Sequence, residues 1–182
     1  MKTAIYILLI LFCAGMAFAQ KTQTEVVREG SAIENTRPND PRIPEVIALS
    51  GQFERVLVLR FKYDTDLLAG LKETVEREKV NNAVILSGIG SVRGYSYHIV
   101  SNREFPSRNY FIKDPAAPAD LVSVNGYVIN GRVHAHVAFS GEEGAFGGHL
   151  EPGTAVFTFA VLTLGILSDD VDLTRVDDKS YR

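Results

Sequence analysis

The spacing of hydrophobic and polar residues changes along the chain, and this change predicts the order of the elements. Residues 55–61, Arg-Val-Leu-Val-Leu-Arg-Phe, are rich in residues that favour strands. Apolar residues then recur at helical spacing with charged residues between them, which predicts one amphipathic helix from an N-cap at Asp64 or Thr65 to about Lys79. Beyond Asn82 the chain returns to strand-forming sequence. The pattern therefore predicts one strand, one helix and then a series of strands.

Glycine, proline and asparagine residues separate the predicted strands that follow the helix. These strands are predicted at residues 83–87, 95–100, 110–112, 121–129, 132–140 and 155–167. Gly88, Gly90 and Gly94 predict a tight connection, and Asn130-Gly131 predicts a type I′ hairpin because that turn needs two positive φ angles. The last run is apolar and lacks a helix cap, so a central strand is predicted, with a buried helix as the alternative. These elements predict an α+β fold with a mixed or mostly antiparallel sheet and a flanking helix.

The first 45 residues precede the predicted domain and divide into two parts. A positively charged start, an apolar stretch and the small residues around Ala19 are typical of a secretory signal peptide cleaved after Ala19. The stretch is shorter than the roughly 20 residues that span a bilayer as a helix, although an uncleaved anchor is the alternative. Residues 20–45 are polar and contain prolines, which predicts a flexible or extended lead-in. We expect a domain at residues 46–182 in a periplasmic or secreted protein.

Charge and cysteine content narrow the possible functions. The chain has 19 basic and 22 acidic residues, for a net charge of −3, so no overall positive field attracts nucleic acid or an anionic membrane. The single cysteine, Cys13, lies in the predicted signal peptide. The mature chain would therefore carry neither a disulfide nor a reactive thiolate, and nucleic acid is not the expected partner.

Three of the four histidines have a spacing that suits one metal ion. Alternation along residues 132–140 places His134 and His136 on one face and apolar residues on the other. The glycines at 147–148 allow the backbone to bend or approach closely, so His149 can bring a third imidazole to the same point. Three imidazoles with an open fourth position are typical of zinc, although copper, nickel and iron also accept imidazole. The alternative is that these histidines are polar strand residues without a metal.

Several other residues are candidates for supporting roles. His98 is predicted to be structural or to contact the metal ligands from behind. Glu142 and Glu143 lie in the loop between the second and third histidines, where one could act as a base or a fourth ligand, or both could form a solvated turn. Arg60 could orient a carboxylate or form an ion pair at a subunit interface. No catalytic residue is assigned from the sequence.

Two stretches of the chain resemble the signature of the plants-and-prokaryotes-conserved (PPC) domain family. They are Val-His-Ala-His-Val-Ala-Phe-Ser at residues 133–140 and Gly-Gly-His-Leu-Glu-Pro-Gly-Thr at residues 147–154. Residues 83–92 and Arg60 resemble further landmarks of that family. The resemblance extends over about residues 53–181, and the Gly-Gly-His-Leu segment is its most specific part.

The resemblance implies a homotrimer in which His134, His136 and His149 form a metal site, with zinc as the first candidate. The family shares its fold with acetolactate decarboxylase and with a three-histidine zinc ester hydrolase. Its plant members bind AT-rich DNA through an added Arg-Gly-Arg-Pro hook, which this sequence lacks. Three functions are carried forward, in this order: an exported metal-binding trimer that binds a small ligand or partner, a metal-dependent lyase or hydrolase, and a DNA-binding protein.

Overall fold

One long strand organises the fold. The computed structural model describes residues 20–27 and 38–177. Its elements follow the chain in the order β1 (Thr22–Val27), β2 (Phe53–Phe61), α1 (Leu67–Arg77), β3 (Ala83–Val100), β4 (Arg108–Asp114), β5 (Ala119–Ile129), β6 (Arg132–Gly141), β7 (Gly144–Leu150) and β8 (Ala155–Leu167). A short 3₁₀ helix at Leu173–Val176 follows the last strand. The 18-residue strand β3 pairs with β4, β5, β7 and β8, which is more partners than any other strand has.

The pairing of the strands closes a ring. Strand β3 pairs with β5 and β8 along its first half, and with β4 and β7 along its second half. Because β5, β6 and β7 also pair in sequence, the strands β3, β5, β6 and β7 form a closed circuit. Strand β2 extends the sheet beyond β8, and β1 extends it beyond β4. The ring brings the histidine-bearing strands β6 and β7 back against β3.

The α+β prediction is wrong, because the fold is mostly antiparallel β-sheet. The only α-helix among the described residues has 11 residues, whereas the sheet has eight strands, and every pairing between them is antiparallel. The helix buries Leu67, Leu71 and Val75 in the main core. The apolar run at Ala155–Leu167 forms the predicted strand, with Leu162 and Leu164 fully buried. Helix α1 is therefore an addition to a sheet that supplies most of the fold.

The predicted tight connection at Gly88, Gly90 and Gly94 is wrong, because these residues lie inside β3. A Cβ at Gly90 would stand 2.3 Å from the carbonyl oxygen of Phe159, so this glycine lets β3 approach β8 closely. Three register shifts occur between Ile85 and Gly94. The glycines and bulges bend the strand without ending it.

The predicted hairpin is confirmed, whereas the helix start differs from the prediction. Asn130 and Gly131 have φ angles of 50° and 72°, and β5 and β6 pair on either side of them. The N-cap of α1 is Asp66, whose carboxylate accepts the amide of Ala69 at 2.8 Å. The same carboxylate accepts the amide of Gly153 at 2.6 Å. The cap therefore also ties the helix to the loop that follows β7.

The predicted signal peptide at residues 1–19 lies outside the described residues. Within the predicted lead-in, Thr22–Val27 form β1, which pairs with β4. The division into signal peptide, lead-in and domain stays a prediction. Within 20–27 and 38–177, no helix has the length and apolar character needed to cross a membrane.

An aromatic cluster anchors the strands that carry the histidines. Phe139 on β6 is fully buried, and its ring centroid lies 5.7 Å from that of Tyr95. Phe146 on β7 packs against the same tyrosine at 4.8 Å. Leu150, at the end of β7, is 1% exposed. The core therefore holds the inward faces of β6 and β7 in place, so their outward side chains have a fixed support.

Candidate metal centre

A row of histidines crosses three neighbouring strands on the outside of the ring. His136 on β6 lies opposite His149 on β7, and His149 lies opposite His98 on β3. Directly paired residues of antiparallel strands point to the same face, so the three rings lie side by side. His134 joins them from the same face of β6, two residues earlier. All four histidines of the chain meet on this surface, which we call the histidine face.

Three of these rings are close enough to bind one ion. The Nε2 atoms of His134 and His136 are 3.4 Å apart, and the ring of His149 lies 4.8 Å and 5.2 Å from theirs, centroid to centroid. One ligand nitrogen from each residue lies within 4.8 Å of the others. A zinc–nitrogen bond of about 2.0–2.1 Å separates two tetrahedral ligands by about 3.3 Å. The predicted residues are therefore brought together in an arrangement that fits a divalent ion.

The surroundings of His136 favour the form of imidazole that binds metals. Burial lowers the pKa of this side chain, and the neighbouring His134 and His98 lower it further. A metal ligand must be the neutral imidazole, so a lowered pKa leaves more of it available near neutral pH. Burial and the neighbouring histidines therefore favour the neutral, metal-binding form of His136 over its protonated form.

Two glycines set the position of His149. A Cβ at Gly147 would stand 2.1 Å from the carbonyl oxygen of Val137 on β6. A Cβ at Gly148 would stand 2.3 Å from the carbonyl oxygen of His98 on β3. Strand β7 can therefore run close to both neighbours only because these positions lack side chains. This close approach places His149 between the ligands of β6 and the histidine of β3.

A carboxylate that the sequence analysis missed completes this surface. Glu151 lies two residues beyond His149, and its Oε1 is 2.6 Å from Nδ1 of His98. The His98 ring stacks on His149 with centroids 4.5 Å apart and 25° between the planes. His98 therefore contacts the candidate ligand His149 from behind, which is one of the two roles predicted for it. The spacing of two residues from His149 was the available signal for Glu151.

The other candidates lie elsewhere. Glu142 and Glu143 form the exposed turn of the β6–β7 hairpin. Six residue steps separate Glu142 from His136 and Glu143 from His149, about 20 Å at 3.4 Å per residue. The guanidinium of Arg60, on β2, lies over the ring of Phe159 at 6.0 Å. The structure therefore does not join these acid, base or anchoring candidates to the histidines.

A cavity adjoins the histidine face. Its volume is about 660 Å³, and His134 and Tyr127 form part of its wall. Its other walls are largely apolar and include Phe53, Ile129 and Leu167. A small molecule with an apolar body could therefore occupy this space beside the imidazole of His134.

The fold and the histidine face together define the class of protein. Residues 48–168 match the family described as the Plants and Prokaryotes Conserved (PCC) domain. The chain belongs to this family, and the resemblance seen in its motifs is confirmed. A search of curated proteins finds no significant match.

Solved structures share this fold. A plant- and prokaryote-conserved (PPC) protein from Pyrococcus horikoshii is 26% identical, and the match covers 68% of this chain and 85% of that one with a TM-score of 0.55. A metal-containing protein from Archaeoglobus fulgidus is 22% identical over 68% of this chain and 86% of that one, with a TM-score of 0.54. A candidate DNA-binding protein from Bacteroides thetaiotaomicron is 13% identical over 66% and 85%, with a TM-score of 0.51. At such identities the last two show similarity of fold alone.

Proposed function

We propose that this protein is an exported metal-binding protein in which His134, His136 and His149 hold one zinc ion, and that a small ligand binds beside the ion. The observation that carries the proposal is the approach of three imidazoles on an outer face. The 3.4 Å between two of their nitrogens is close to the separation of ligands in a tetrahedral zinc site. Three protein ligands leave a fourth position for a ligand atom.

The donor set supports zinc over harder ions. Three neutral nitrogens suit zinc, copper, nickel or iron, whereas magnesium and calcium prefer oxygen. The metal-containing protein from Archaeoglobus fulgidus has the same fold, so the fold is compatible with a bound metal. Bound zinc acts as a Lewis acid and attracts an anionic or carbonyl oxygen. The cavity at His134 would hold the apolar remainder of such a ligand.

Binding explains the site better than the two other functions. A metal-dependent lyase or hydrolase needs an acid or base beside the ion, whereas Glu142 and Glu143 lie at the far end of their hairpin and the carboxylate of Glu151 is bonded to His98. DNA binding needs a positive surface, whereas the net charge of the chain is −3. The Bacteroides relative shares the fold at 13% identity, so it carries no argument for a DNA partner here.

We extend the proposal to a homotrimer that buries an exposed part of the sheet. Exposed apolar side chains line the outer side of β2, β3 and β8, and we call this surface the apolar face. Its residues are Val56, Val58, Ile89 and Phe159. Val58 is 64% exposed and Ile89 is 57% exposed. Adjacent apolar residues with such exposure are typical of a surface that another chain covers. The charged start and apolar stretch of residues 1–19 support export.

The proposal is tested by histidine side-chain NMR of the purified protein, with the ring signals assigned by single substitutions. We expect one equivalent of zinc to shift the ring-nitrogen signals of His134, His136 and His149 in the way that coordination does. Magnesium at the same concentration should leave them in place. If zinc leaves the three rings unchanged, the proposed function is wrong.

A further inference from the structure

We propose that His98, His149 and Glu151 form a second cation site, which shares His149 with the first site and adds a carboxylate to the donors. One ligand atom from each of the three residues lies within 4.8 Å of the others. His98 Nδ1 and Glu151 Oε1 are 2.6 Å apart. The inference goes beyond the proposed function, because it needs neither His134 nor His136.

The backbone holds Glu151 in place for this role. Its amide donates to the carbonyl oxygen of Ser96 at 3.1 Å. The hydroxyl of Thr154, which is fully buried, donates to the same carbonyl at 3.1 Å and accepts the amide of Ser96 at 3.0 Å. The chain after β7 is thus fixed against β3 on both sides of the carboxylate. Glu151 is therefore positioned by hydrogen bonds that do not involve its carboxylate.

The side chains of His98 and Glu151 are also shielded from solvent. The side chain of His98 is 15% exposed and that of Glu151 is 21% exposed. Phe111 packs on the His98 ring, at 4.8 Å between centroids, and His149 packs on it at 4.5 Å. A carboxylate held in such surroundings is costly unless a positive charge or strong donor compensates it. A divalent cation between Glu151 and the two imidazoles would provide that compensation.

The donor sets of the two sites differ in chemistry. Two imidazoles and one carboxylate are the ligands of several catalytic zinc centres and of the non-haem iron facial triad. The negative charge and hard oxygen extend the range of cations beyond those that suit three imidazoles. The ligands need to separate only slightly, because donors around one ion stand about 3 Å apart. The histidine face would thus offer two cation positions of different preference around one shared ring.

The competing explanation is that Glu151 orients His98 behind the first site and binds no cation itself. A double variant, His134→Ala with His136→Ala, separates the two explanations because it leaves the second set of ligands intact. We expect equilibrium dialysis against zinc, followed by elemental analysis, to show one zinc per chain in this variant. Adding Glu151→Gln, which keeps the shape of the side chain, should weaken that binding at least about tenfold.

A triple variant that also carries His149→Ala sets the background, and thermal unfolding checks that each variant is folded. If the double variant binds no more zinc than the triple variant, the second site does not exist. The proposed function is judged separately, from His98→Ala with Glu151→Gln in the otherwise native chain. If the variant with His98→Ala and Glu151→Gln binds zinc and the variant with His134→Ala and His136→Ala does not, the first site stands and the second is refuted. If only the variant with His134→Ala and His136→Ala binds zinc, the first site is refuted.

Discussion

The histidine face and the apolar face are outer surfaces of the same sheet, yet they present opposite chemistry to solvent. The histidine face places imidazoles side by side on β6, β7 and β3. The apolar face places exposed valine, isoleucine and phenylalanine side chains on one outer side of β2, β3 and β8. The first arrangement suits an ion and a small ligand, and the second suits another protein chain. Outward position on a strand therefore does not by itself define a role.

Strand β3 contributes to both faces, which shows how one strand serves two purposes. Its first half carries Ile89 on the apolar face, and its second half carries His98 on the histidine face. The register shifts between Ile85 and Gly94 separate the two halves. Because the halves pair with different neighbours, a change on one face should leave the other intact. The predictions below test this independence.

The largest effect is expected from removing the ring that both cation positions share. His149→Ala should weaken zinc binding by more than about 100-fold, since loss of a direct ligand exceeds the effect of losing an outer partner. Isothermal titration with zinc measures this change. Tyr127→Phe is the matched control, because Tyr127 lies opposite His134 and has no ligand role. Unchanged affinity in His149→Ala would contradict the assignment of this residue.

Placing charge on the apolar face should dissociate the trimer. Val58→Lys with Ile89→Lys would bury two ammonium groups in the subunit contact, so the mass in solution should fall from three chains to one. Light scattering after size-exclusion chromatography measures the mass. Val100→Lys is the control, because Val100 is 65% exposed at the far end of β3. A native protein that is already a monomer would contradict the trimer.

A smaller effect is expected where backbone approach positions the histidine face. Gly148→Ala should lower the free energy of unfolding by about 1–3 kcal/mol, since the new methyl meets the carbonyl oxygen of His98. Zinc affinity should fall with it, because β7 must move away from β3. Gly141→Ala is the control, where the methyl would contact only the ring of Phe146. Urea unfolding of both variants provides the comparison, and equal losses would argue against this role of Gly148.

The smallest expected effect is a change in the free energy of unfolding with pH. The folded protein lowers the pKa of His136 below its ordinary value of 6.5, so the folded state binds fewer protons than the unfolded state between the two pKa values. In metal-free protein, the free energy of unfolding should therefore fall as pH drops below about 6.5 and stay level above it. Urea unfolding at a series of pH values shows the slope, and His136→Gln should reduce it. A slope that His136→Gln leaves unchanged would assign the effect to other groups.

The sequence was most informative where function depends on local pattern. Alternation along β6 placed His134 and His136 on the outer face, and Val137 and Phe139 are buried beneath them as that alternation requires. The two glycines before His149 were correctly linked to a close approach of the backbone. These features depend on residues within a few positions of one another, so the sequence alone could predict them.

The sequence was least informative where function depends on distant pairing. His98 and Glu151 meet only because the ring closes between β3 and β7. The spacing of Glu151 from His149 hinted at a shared face, but no residue near His98 indicates which strand lies beside it. Glu142 and Glu143 looked close to the histidines along the chain, yet the hairpin carries them to its far end. The fold class was wrong because the predicted helix was given the weight of a layer, whereas α1 has 11 residues beside a sheet of eight strands.

The most direct test of the metal site is elemental analysis of the purified protein beside a variant with His134, His136 and His149 all changed to alanine. Both are incubated with zinc and dialysed before measurement. We expect at least one metal ion per chain in the native protein and none in the variant. A native protein without metal after this treatment would contradict the central claim and leave the histidine face as an ordinary polar surface.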